Sequence, residues 1–80
     1  MWRALWPDGG APTEGSDPED LLQRMAGEQW ASASRENIRG ALAWRCHVLF
    51  NTEPVMESSA RDFLIDVAQI GLFKLQIGPT

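Results

Sequence analysis

Phe73-Lys74-Leu75-Gln76-Ile77 is the stretch on which the fold turns. Its apolar and polar residues alternate, which is the period of a half-buried strand. If Gly71 ends the preceding helix, these five residues are free to be one. A lone strand leaves its backbone groups unpaired, and no second strand pattern occurs elsewhere in the chain. The reading therefore goes the other way. Residues 72–77 are the frayed end of a third helix, and the fold is all-α: a small three-helix antiparallel bundle.

Working back from that stretch, Thr52 is an N-cap candidate, Glu53 suits the positive helix end, and Pro54 fits a first turn. A third helix over 54–71 then carries Met56, Ala60, Phe63, Val67 and Ile70 at spacings of 4, 3, 4 and 3, with Leu64, Ala68 and Leu75 alongside. Glu57, Arg61, Asp62, Asp66 and Gln69 form its polar face, on which Ile65 and Phe73 intrude. That spacing invites antiparallel packing, within the chain or between chains.

The second helix is expected from Arg35 to Phe50. Its start is polar, with Arg35, Glu36, Asn37 and Arg39. From Ala41 to Phe50 only Arg45 and His47 are polar. A helix apolar nearly all round is buried on more than one side, and a chain of 80 residues has little with which to surround it. A homodimer supplies the cover, with Leu42, Trp44, Val48, Phe50, Phe63, Val67 and Ile70 as the expected interface.

The first helix, over 18–30, has Ser16 or Asp17 as N-cap, Pro18 at its first position, and Glu19 and Asp20 in its first turn. Leu21, Leu22, Met25, Ala26 and Trp30 form its stripe. Ahead of it, Trp2, Leu5 and Trp6 fall on one face of a helical turn. Five of the nine residues from Pro7 to Gly15 are Gly or Pro, the composition of a flexible linker. The expected organisation is a Trp-bearing N-terminal arm and linker over 1–15, then a helical domain over 16–77.

Composition narrows the function. Eleven acidic and seven basic residues give a net charge of -4, against the basic footprint of a nucleic-acid binder. One cysteine excludes an internal disulfide and a cysteine-rich metal site. No apolar run approaches the eighteen residues of a membrane span, and Pro7 interrupts the first apolar segment before it reaches the length of a signal peptide. A soluble cytoplasmic protein is the expectation.

Little points to catalysis. Cys46 and His47 are adjacent, so on a helix they diverge by about 100° and do not meet as a nucleophile and its base. Glu53/Glu57 and Asp62/Asp66 are acidic pairs at helical spacing, the pattern of any solvated face. Gly9-Gly10 lacks the Lys-Ser/Thr of a phosphate loop. We expect no enzyme, no cofactor and no metal.

Two functional readings follow. Four tryptophans and six arginines among seven basic residues suit a protein that holds another protein. The first reading is thus a non-catalytic adaptor, anti-activator or inhibitor, whose partner is a protein such as a transcription regulator. Its contacts would be Trp2, Leu5, Trp6, Ile65 and Phe73, and its acidic surface would suit a basic partner face. The second is a helix-turn-helix DNA binder in which Arg35, Asn37 and Arg39 start the recognition helix. The negative charge and the apolar second half of that helix weigh against it.

Overall fold

The computed structural model describes residues 1–7, 9–28 and 38–78. It contains three helices and a three-stranded antiparallel sheet, so the all-α bundle is overturned. The elements run β1 (Trp2–Leu5), β2 (Thr13–Gly15), α1 (Pro18–Glu28), α2 (Ile38–Phe50), α3 (Ala60–Ile70) and β3 (Lys74–Ile77). The strand order is β2-β1-β3, with β1 in the centre.

The missing partner of the 73–77 alternation is the N-terminal arm itself. Ala4 lies opposite Leu75 on one side and Thr13 on the other, and Arg3 lies opposite Gln76 and Glu14. Backbone bonds between Met1 and Gly78 carry the pairing one step further, at 3.0 and 3.2 Å. Trp2, Leu5 and Trp6 fit a helical turn as a pattern, but Trp2 and Ala4 are the pair that share a strand face. Ala4 is fully buried, while Arg3 on the opposite face meets Glu14 across the strands, its Nε 2.8 Å from the carboxylate. Nor does the Gly/Pro-rich segment behave as a loose linker. Gly9, at φ 81°, donates its N–H to the Trp6 carbonyl at 3.3 Å, and the chain returns as β2.

In α1, Asp17 takes the cap: its carboxylate accepts the Asp20 N–H at 2.8 Å, with Pro18 at the first helical position. Asp20 in turn accepts the Ser16 N–H at 2.9 Å. Leu21, Leu22, Met25 and Ala26 are buried, as their spacing requires. Trp30, and the Arg35–Asn37 start expected for the second helix, lie outside the described residues. Asn51 closes α2 in the left-handed region (φ 55°), a conformation that Asn tolerates better than most residues.

The third helix starts later than expected, at Ala60 and not at 54. Side chains distant in sequence hold the 55–58 backbone in another conformation. Asp66 accepts the Val55 N–H at 2.8 Å, and Arg39 donates to the carbonyls of Met56 and Ser58 at 3.1 and 2.6 Å. Ser59 caps the helix by accepting the Asp62 N–H at 3.2 Å. Gly71 then ends it at φ 117°. Its N–H and that of Leu72 both reach the Val67 carbonyl, and the second of these bonds is the mark of a Schellman stop.

The core lies between one face of the sheet and the helices. Phe63, Leu64, Val67, Leu21, Met25, Leu42, Cys46 and Ala4 are sealed from solvent, with Phe73 and Leu72 beside them. Among the described residues, no helix is long and apolar enough to cross a membrane.

Candidate binding surfaces

The residues expected to touch a partner divide sharply. Phe73 is buried, and Trp2 and Trp6 are half-buried against the core. The Trp6 indole donates to the buried Thr13 hydroxyl at 3.0 Å and meets the Phe73 ring edge-on at 5.2 Å. These aromatics close the chain's own interior. Leu5 and Ile65 behave differently. Both are half-buried, and both line a groove of about 510 Å³ between α3 and β3. Ala68, Gln69, Phe73 and the whole of β3 complete its walls. A second hollow of about 460 Å³, lined by Leu5, Trp6, Pro7, Ala68 and Phe73 among others, shares Leu5, Ala68, Phe73 and Lys74 with the first. Four of the five expected contacts therefore meet around one end of the sheet, and Trp2 stands apart from them.

The groove runs along an edge. Strand β3 pairs with β1 on one side only, and no described strand covers the other. An uncovered strand edge offers a row of backbone donors and acceptors. Lys74, the chain's single lysine, lines both hollows and makes no ion pair among the described residues. Apolar walls, an open edge and one cation make up the site's chemistry. Sequence reasoning missed Ala68, Lys74, Leu75 and Ile77 as site residues. The alternation of 73–77 is the available signal, and it points to a strand only once the N-terminal residues supply its partner.

The expected dimer residues also divide. Leu42, Phe63 and Val67 are fully buried in the chain's own core, and Ile70 packs against it. Trp44, Val48 and Phe50 are exposed, together with Leu49. The Trp44 indole stacks over His47 with ring centres 6.0 Å apart.

Catalytic candidates are dispersed. Cys46 is buried, and that burial, followed by the nearby charge of Asp66, pushes its thiol pKa up. A thiol held protonated is a poor nucleophile. His47 is exposed, with Nδ1 3.3 Å from a Glu53 carboxylate oxygen. Glu53 and Glu57 lie outside any helix, so their i, i+4 geometry is lost. Asp66 is engaged with Val55, and Asp62 with Arg61 at 3.1 Å. No described group of three His, Cys, Asp or Glu residues is placed to hold a metal ion. Arg39, expected to read a DNA groove, is turned instead toward the 56–58 carbonyls and lies 5.2 Å from the Phe63 ring centre.

No protein-family model matches the chain, and neither a curated protein nor a solved structure matches it.

Proposed function

We propose that this is a non-catalytic protein-binding module that captures an extended segment of a partner along β3. The observation that carries this reading is the open β3 edge lying beside an apolar groove of about 510 Å³. An incoming strand takes its backbone bonds from the edge, and alternate side chains drop into the neighbouring groove. Ile65, Ala68, Leu75 and Ile77 favour apolar side chains there, and Lys74 favours an acidic one. The partner segment is thus extended, apolar and carries at least one carboxylate. A protein built this way acts by holding its partner, as an adaptor, anti-activator or inhibitor does.

The test starts from a random peptide library displayed against the whole protein, followed by titration of the selected peptides. Selected sequences should alternate apolar and acidic residues. Ala68→Trp fills the groove and Lys74→Glu reverses its charge. Each should weaken binding by at least about tenfold, the 1.4 kcal/mol scale of one well-placed contact, with helicity unchanged. Selected peptides that bind both variants as well as the wild type would sink this reading.

A further inference from the structure

Resting on the reading of β3 as a peptide-binding edge, we infer that the segment held there is the free C-terminus of its partner. It runs antiparallel to β3 and places its terminal carboxylate on Lys74.

Charge selects an anion. The chain carries eleven acidic residues against seven basic ones. Yet no acidic side chain lines either hollow, and Lys74 is the one cation that lines both. Lys74 is exposed and makes no ion pair among the described residues, whereas Arg3, on the neighbouring strand, is paired with Glu14. In an acidic molecule, an acid-free apolar groove with a lysine at its rim complements a negatively charged ligand.

The sheet sets the direction. Both of its existing pairs are antiparallel, and antiparallel ladders hold slightly better per residue than parallel ones. A chain added antiparallel to β3 runs from the Ile77 end toward the Lys74 end. Leu75 and Ile77 lie opposite Ala4 and Trp2, on the face where Ala4 is buried. Incoming residues opposite them share that face and send their side chains toward Ile65 and Ala68. A residue opposite Leu75 then has its carboxyl group one step further along, at Lys74.

What lies beyond Lys74 sets the end. Phe73 and Leu72 are buried, and Gly71 closes α3, so the open edge stops there. A chain that continued would cross the second hollow. The side chains of Leu5, Trp6, Pro7, Ala68 and Phe73 offer its backbone no acceptor, and the Trp6 indole N–H is already given to Thr13. Backbone groups left unpaired over such a surface are costly. A chain that ends at Lys74 has none to carry across. Its last apolar side chain lies where the two hollows meet, against Leu5, Ala68 and Phe73.

Two random peptide libraries displayed against the whole protein test this, one with a free C-terminus and one with its C-terminus fused. The free-ended library should give the stronger binders, with an apolar last residue. Each selected peptide is then titrated as the acid and as the C-terminal amide. The acid should bind the wild type about three- to fivefold more tightly, the scale of a well-formed ion pair at a surface. Lys74→Gln should abolish that preference and leave amide binding unchanged, with far-UV circular dichroism confirming the fold. Acid and amide that bind the wild type equally overturn the inference and leave the β3 edge standing. A preference for the acid that survives Lys74→Gln also overturns it, because the cation is then not Lys74. An absence of binders from both libraries removes this inference and the β3 reading together.

Discussion

At the β2 edge of the sheet, a Cβ added to Gly15 would sit 2.5 Å from the Leu21 nitrogen and 2.7 Å from its Cα. Thr13 beside it is fully buried, with its hydroxyl taken by Trp6. At the β3 edge, Ile77 is 56% exposed and Lys74 has no described ionic partner. One sheet thus ends in backbone pressed against helix on one side and in an open groove on the other. Exposed strand edges invite unwanted pairing, and proteins usually cover or charge them. Here the β2 edge is covered by α1, while the β3 edge keeps its apolar residues and one lysine. That difference is the reason to seek stability at the first edge and function at the second.

Gly15→Ala should break the contrast most severely. The methyl group would collide with backbone atoms, which cannot rotate away, so β2 and the first turn of α1 must separate. Overpacking of this kind costs about 2–3 kcal/mol, equivalent to a fall in Tm of roughly 10–20 °C for a domain this small. Thermal unfolding followed by circular dichroism measures it. A Tm within a few degrees of the wild type would mean that the close approach relaxes freely.

Thr13→Val should cost less. It keeps the volume and removes the acceptor of the Trp6 indole, so about 1 kcal/mol is expected. Urea unfolding should show a lower midpoint with an unchanged slope, because the surface exposed on unfolding is the same. An unchanged midpoint would show that Trp6 does not depend on Thr13.

Much of the helical half was legible from local chemistry. The Asp17-Pro18 start of α1, its Leu21–Ala26 stripe and the Gly71 stop each rest on contacts within a few residues of one another. The sheet was not legible, because its pairing joins Trp2 to Ile77 across nearly the whole chain. A strand of four residues satisfies a helical and a strand period almost equally well. Thr13-Glu14-Gly15 is shorter still and carries no apolar residue at all. Its strand character comes from burial beneath Trp6 and α1. The start of α3 failed for a related reason: Arg39 and Asp66, distant in sequence, capture the 55–58 backbone. The groove inherits this history. Leu5 is read with Trp2 and Trp6, and Ile65 as an intrusion on a polar helix face, yet only the β1–β3 pairing brings both to the groove beside β3.

The closed edge should also be pH-sensitive. Asp20 accepts the Ser16 N–H and pairs with Arg24 at 3.2 Å, and these contacts, the backbone bond foremost, hold its pKa below the ordinary 3.8. A depressed carboxylate contributes stability that is complete above the unfolded-state value and is lost as the pH falls through the folded one. The Tm difference between wild type and Asp20→Ala should therefore hold steady above about pH 5 and shrink below about pH 4. A difference that does not change over that range would remove Asp20 from the account of this edge.

Ile77→Lys should have the smallest effect on stability, and it tests the open edge most directly. The side chain is already more than half in water, and its strand is paired on one side only. Exposed substitutions of this kind usually change stability by less than about 0.5 kcal/mol. A lysine on an edge strand nonetheless disfavours a further strand, because its ammonium must stay hydrated where the new chain would lie. Thermal unfolding should place the variant within a few degrees of the wild type, while binding of peptides selected on the wild type falls at least about tenfold. Large losses in both measurements would make β3 a structural edge like β2, and the contrast between the two would disappear. Loss of binding alone separates the edge that holds the fold together from the edge that holds a partner.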